Sequence, residues 1–523
     1  MRRILLVFVA ATAAVLSNPG SARAQLDTLR TAPERTDWIE TTRYDEVMTF
    51  LEAVAAESPQ AHLTRMGYTS EGRAIPLLVV GDVPDPSPEA VRASGRLRVY
   101  LQGNIHGGEV PGKEALLMLV RELAGEPDPR WLDELVLLVA PLYNADGNER
   151  VGLSNRPRQN GPLGGMGQRP NAQGLDLNRD HMKLDSPEAR SLTAMLTAYD
   201  PQVGVDLHTT NGTRHAYHLT YSPSLHPGTA PELDRLLRED ALPRITERIR
   251  ARDGWHFYYY GNARPDADGE LGWYTFDHRP RFNNNYLGLR NRVAILSEAY
   301  AYATFQERVD ATRRFVEEIL DWAAETADGI RDAIESAEMP LAGSELPLRA
   351  TFQGSDERVE ILMGQVEERR HPYTGEILLQ RLDVVEPTPM REFGTFQATE
   401  TGTVPGRYLV PPGVEVALDR LAAHGVRMTT MDAPREVGAQ AFRVDSSHVA
   451  ERAFQGHRER TVFGRWMPVD TVLPAGTRVV DTNQSLGRLA FYLLEPRADD
   501  GLANWGLLDE YLESGEWPIL RVR

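Results

Sequence analysis

Four short runs of the chain are almost wholly apolar, and each leads into side chains able to do chemistry. Leu97 to Leu101 runs into His106-Gly-Gly-Glu109, and Leu135 to Leu142 into Tyr143-Asn144-Ala-Asp146-Gly147. Pro201 to Leu207 ends on His208, and Arg292 to Ser297 ends on Glu298. Runs this short and uniform fit strands buried on both faces of a sheet. Stretches with helical spacing of apolar residues separate them: Ala115 to Leu123, Ser186 to Tyr199 and Leu233 to Arg250. A longer helical pattern, Phe305 to Ser336 with a break at Gly329, follows. Alternating strands and helices predict an α/β fold, a doubly wound mixed sheet with helices on both faces. Ligands of such sheets bind beyond the carboxyl ends of the strands, where His106, Glu109, His208 and Glu298 all fall.

Ahead of this core, Tyr44 to Glu57 has helical spacing, and Leu63 to Arg73 pairs with Ile75 to Val80 as a hairpin turning at Glu71-Gly72. The segment Gly152 to Gly174 is rich in Gly, Pro, Asn and Arg; a loop of that length is commonly either functional or disordered. Past about Pro340, short strand-like runs alternate with Pro and Gly turns, and only Val414 to His424 looks helical. This texture predicts a catalytic domain over 25–338 and a separate, mainly β accessory domain over 345–523.

With 523 residues the chain has ample material for a large core, and the net charge of −18 disfavours nucleic acid as a partner. There is no cysteine, so disulfides, thiolate catalysis and Cys-ligated metals are excluded. Met1-Arg-Arg, an apolar run from Ile4 to Leu16 and Ala22-Arg-Ala24 together form the pattern of a secretory signal peptide over 1–24. No later segment is apolar enough to span a membrane. The expected location is therefore outside the cytoplasm, periplasmic or extracellular.

His106, Glu109 and His208 make a two-histidine, one-carboxylate set, the kind that holds a catalytic Zn²⁺ while leaving a coordination position open. Such a metal polarises a carbonyl and acidifies water; a separate carboxylate must then move the proton, and Glu298 is the candidate general base. Arg179 offers a fork suited to a substrate carboxylate.

The segment from about Tyr44 to Ala323 resembles the M14 (carboxypeptidase A-like) zinc carboxypeptidases. The matching features are Ser70-Glu-Gly-Arg73, His106-Gly-Gly-Glu109, Asn144-Ala-Asp-Gly147, Asp176-Leu-Asn178-Arg179, Asp206-Leu-His208-Thr209 and the strand reaching Glu298, all in the family's order. The resemblance implies one zinc per chain on His106, Glu109 and His208, with Glu298 as base. It also implies that Asn178 and Arg179 hold the free C-terminal carboxylate of a peptide substrate. The family's carbonyl-polarising arginine should lie in the loop before Asp176, which selects Arg158, with Arg156 second. Its substrate-capping tyrosine should lie about two dozen residues before the base, which selects Tyr274, with Tyr286 second. Hydrolysis of C-terminal peptide bonds is the expected activity. An amidase on cell-wall peptide stems, a deacylase of N-acyl amino acids, and an inactive peptide- or glycan-binding relative are the alternatives.

Overall fold

The computed structural model describes residues 26 and 28–522 apart from 127–129, 211, 267 and 514. The signal-peptide segment, 1–24, lies outside the described residues. The central sheet begins with the antiparallel hairpin β1 (Ala61–Tyr68) and β2 (Ala74–Val80). It continues with β3 (Leu97–Gly103), β4 (Leu135–Ala140), β5 (Val203–Thr209), β6 (Leu219–Ser222) and β7 (Phe257–Tyr259). The chain then leaves it for a hairpin, β8 (Asn262–Pro265) and β9 (Leu271–Tyr274), and returns as β10 (Val293–Ala299). The eight strands lie in the order β1-β2-β4-β3-β5-β10-β6-β7, with β4, β3, β5 and β10 mutually parallel. From β3 the chain crosses to β4 on one side, then back to β5 on the other. That reversal opens a crevice at the carboxyl ends of β3 and β5, the place where open α/β sheets bind ligands.

Alternate strand residues feed two cores, as a two-faced sheet requires. Leu97, Val99 and Leu101 pack with α1 (Tyr44–Glu57), α2 (Pro111–Gly125), α4 (Leu242–Asp253), α6 (Phe305–Glu325) and α7 (Ala327–Ala337). Tyr100, Val136 and Leu138 face the opposite way, toward α3 (Pro187–Tyr199) and α5 (Asn283–Leu289). The helix ends follow from local chemistry. Ser186 caps α3, its hydroxyl accepting from Ala189 N–H with Pro187 in the first helical position. Thr304 and Glu307 form a reciprocal box at the start of α6. The expected break in the long helical pattern falls at Thr326, between α6 and α7, three residues ahead of Gly329.

Residues 345–523 are mostly β, as their texture suggests. β11 (Glu345–Gln353) pairs with a later strand, and β12 (Arg358–Met363) is followed by a hairpin, β13 (Val366–Arg370) and β14 (Ile377–Arg381). β15 (Glu386–Phe393) and β16 (Thr395–Thr403), the partner of β11, follow. A six-stranded sheet runs from Arg407–Val410 to Leu520–Val522. Helices at Gly487–Leu494 and Asp509–Glu513 have no counterpart in the sequence reading. The expected separation at 338–345 is not how this region packs. β12 and β15 complete a four-stranded sheet with β9 and β8, and Tyr408, Leu489, Leu493 and Trp505 share one continuous core with Tyr100 and Leu138. The physical reason is the apolar face of the central sheet, which α3 and α5 cover only in part.

Candidate active site

His106 and Glu109 lie on the link between β3 and α2, which begins at Pro111. Asn104 makes the sharp turn, with φ of 63°. Gly107 and Gly108 are needed for close approach: a Cβ on Gly107 would lie 2.4 Å from the Gly147 carbonyl carbon, and one on Gly108 2.6 Å from Gly167 O. These glycines let two loops close onto the histidine-bearing one.

The three expected metal ligands converge. Donor atoms of His106, Glu109 and His208 all lie within 4.8 Å of one another, and all three residues are buried. His106 Nδ1 is 3.0 Å from Glu109 Oε1, His208 Nδ1 is 2.9 Å from Glu109 Oε2, and the two Nδ1 atoms are 3.3 Å apart. The outer ring nitrogens are held in turn: His106 Nε2 lies 3.0 Å from Asp176 Oδ1, and His208 Nε2 2.8 Å from Asp206 Oδ2. Carboxylates behind both rings fix each imidazole with Nδ1 inward. Two imidazoles and a carboxylate so disposed fit a zinc ion. Against its burial, Asp206 and Glu109 raise the basicity of His208, and His106 and Arg156 hold Glu109 well below the usual carboxylate range.

Glu298 sits on β10 directly opposite His208 on β5, in parallel register. It faces the same cavity of about 360 Å³ as the three donors. Its Oε2 is buried with no partner, and burial, opposed by His208 and reinforced by Glu109, pushes the carboxyl up to about 8. A bound cation would add a charge that pulls it back down. Asn178 Oδ1 accepts from Asn283 N–H at 2.8 Å, and Asn178 Nδ2 lies 3.5 Å from His208 Nε2. Arg179 stacks on Phe282, its guanidinium carbon 3.8 Å from the ring centroid. It donates to Asn178 O and has no carboxylate within ion-pair distance among the described residues. A cavity-lining guanidinium without an anion is poised to accept one.

Two expectations are corrected. Arg158 is exposed, with φ of 68°, its backbone bridged to Leu378, and it lines a neighbouring cavity. The loop arginines that reach the site are Arg156, 2.9 Å from Glu109 Oε1, and Arg169, 2.9 Å from Asp176 Oδ2 and 3.6 Å from Glu109 Oε1. Tyr274 stacks on Phe393 at 4.0 Å between centroids, because β9 is recruited into the sheet shared with β15. Its alternative, Tyr286, is fully buried with its hydroxyl on His424 Nδ1. The aromatic residues lining the site are Tyr260, Phe276 and Phe282. Asp206 carried a usable signal: residues two apart on a strand share a face, so it points the same way as His208.

An α/β sheet whose topological reversal carries two histidines and a carboxylate, beside a further carboxylate in register, defines a metal-dependent hydrolase. Residues 47–238 match the family model described as zinc carboxypeptidase. The chain is 24% identical over 502 residues to carboxypeptidase 2 of Trichophyton equinum, covering 92% of this chain and 87% of that protein. It is 38% identical over 151 residues to carboxypeptidase D of Rattus norvegicus, covering 25% of this chain and 11% of that one. Among solved structures, a putative carboxypeptidase A from Shewanella denitrificans aligns with a TM-score of 0.40 and 17% identity, over 55% of this chain and 69% of that one.

Proposed function

We propose that the protein is an exported zinc carboxypeptidase that removes apolar residues from the C-termini of peptides. The observation that carries this reading is the convergence of His106, Glu109 and His208 beside Glu298, with the unpaired fork of Arg179 in the same cavity. Zinc on those three residues would supply Lewis-acid polarisation of the scissile carbonyl and a more acidic water. Glu298, whose Oε2 has no partner in the cavity, would take the water's proton and return it to the leaving amine. Arg179 and the Asn178 amide anchor the terminal carboxylate. Arg169 and Arg156 hold positive charge at the cavity wall, where the developing oxyanion needs it. Both are already paired, Arg156 with Glu109 and Thr209 O and Arg169 with Asp176, and the Arg169 side chain is the more exposed, at 39% against 11%.

The preference for an apolar terminal residue follows from the lining. Phe276, Phe282 and Leu296 wall the cavity, and among the described residues Glu109 and Glu298 are its only lining carboxylates, so a basic side chain finds no spare acid there. Export rests on the Met1 to Ala24 pattern. No described helix is long and apolar enough to cross a membrane.

The test is metal content of the mature chain together with release of amino acids from a mixed peptide library, with and without chelator. One zinc per chain and chelator-sensitive release of single, apolar C-terminal residues are expected. Bound zinc with no residue released overturns the peptide substrate and favours the amidase or deacylase alternative.

A further inference from the structure

A second cavity, about 260 Å³, adjoins the first. Its walls come from distant parts of the chain: the loop after Val151, with Leu153, Pro157 and Arg158, and the β13–β14 hairpin, with His371, Ile377 and Leu378. Arg156 lines both cavities, and its guanidinium is 2.9 Å from Glu109, so the second space begins one side chain away from the metal donors. The hairpin is held firmly there. Leu379 N–H donates to Arg158 O at 3.0 Å, Arg381 N–H to Tyr302 O at 2.8 Å, and the Ser154 hydroxyl to Glu376 Oε2 at 3.0 Å. Leu379 also packs against Tyr300, Ala301 and Tyr302, the residues that follow Glu298 by two to four positions.

We propose that this cavity is a subsite for the part of the peptide on the amino side of the scissile bond, taking an apolar side chain against Leu153 and Ile377. The assignment rests on the carboxypeptidase reading above. A chain anchored by its carboxylate at Arg179 reaches the donor set from the Asn178 side, where Asn178 touches His208. Arg156 is shared by the two cavities and pairs with Glu109, so a chain that continues past the donors on the Glu109 side enters the second cavity. The lining suits such an occupant. Leu153 and Ile377 are large apolar residues left 41% and 37% exposed, brought together from segments more than two hundred positions apart. Apolar surface held open on two rigidly joined elements favours an apolar ligand by the area it removes from water. His371 adds a polar contact: it is buried, and its Nδ1 accepts from Tyr373 N–H and Thr374 N–H, which leaves the proton of the neutral ring on Nε2. That N–H is a donor for a backbone carbonyl of the peptide.

The experiment uses the full mature chain loaded with zinc and three substrates ending in the same bond. These are acetyl-alanyl-leucine, which ends before the second cavity, and blocked tetrapeptides that extend it by two leucines or two serines. The expected result is a kcat/KM about tenfold or more higher for the leucine-extended peptide than for the other two. In the double variant Leu153→Ser/Ile377→Ser that ratio falls toward one, whereas Val472→Ser, on an exposed strand elsewhere, leaves it where it was. No preference for the leucine extension in the wild type, or the same ratio in the double variant, overturns the subsite. If none of the three is cleaved, the carboxypeptidase reading has failed. The subsite is then judged by calorimetric binding of the leucine-extended peptide: weaker binding to the double variant supports it, and equal binding overturns it.

Discussion

Exchanging the carboxylate of Glu298 for an amide of the same shape separates proton transfer from metal binding. Glu298→Gln is expected to keep one zinc per chain by elemental analysis and to lower kcat by about 10²–10⁴-fold, the usual worth of a general base. Near-normal kcat in that variant would remove Glu298 from the chemistry. The carboxylates behind the imidazoles act differently. Asp206→Asn or Asp176→Asn should weaken zinc binding by about 10–100-fold in a chelator competition while leaving the fold intact. Unchanged affinity in both would show that the rings need no such support. At this scale the metal donors were legible in the sequence because ligand type and strand-end position agreed independently. Arg158 and Tyr274 were not, because both were chosen by counting along a chain whose loops are its own. A count locates a residue along the backbone, but whether its side chain reaches the cavity depends on which sheet the segment joins, as β9 shows.

Two elements set how precisely the donors are placed. The first turn of α2 lies against β5: a Cβ on Gly112 would stand 2.5 Å from Leu207 Cβ, one residue before His208. Gly112→Ala should therefore push helix and strand apart, costing about 1–3 kcal/mol in denaturant unfolding and lowering zinc affinity with it. An unchanged unfolding midpoint would mean that the contact relaxes freely. The other element is the segment ahead of α5, where Asp277 holds Arg279 and Arg279 reaches Glu459 in the β-rich region. Despite burial, the Arg279 guanidinium draws Asp277 from the ordinary 3.8 down to about 2. A carboxyl depressed on folding contributes stability above about pH 4 and loses it as pH falls toward 2. Thermal midpoints measured from pH 5 to 2 should thus fall more steeply for the wild type than for Asp277→Asn; parallel curves would discount the pair. Strands β1 to β5 and β10, and helices α1 to α4, α6 and α7, were readable from periodicity, whereas β6 to β9 and α5 were not. The glycines of the His106 loop have a reason that periodicity does not carry, an approach by Gly147 and Gly167 that only the folded chain creates.

For the molecule as a whole, the texture change after Pro340 was visible in the sequence, but its meaning was not. Composition reports which strands a segment forms and is silent on what they pair with. Here the β-rich region lends two strands to the sheet containing β9 and covers the face of the central sheet that includes Tyr100 and Leu138. A chain ending after residue 338 should accordingly fail to accumulate as a soluble, zinc-binding protein; a folded, active fragment would show that the cover is dispensable. The pairing of Glu298 with His208 across two parallel strands has its own consequence. The spacing of base and metal donor is inherited from the hydrogen-bond ladder of the sheet, so no rearrangement of the surface loops can retune it. A one-residue slip would turn Glu298 to the opposite face. Lineages built on this sheet are therefore free to change what they recognise, through the loops and the β-rich cover, while the reaction itself stays locked to the weave of the strands.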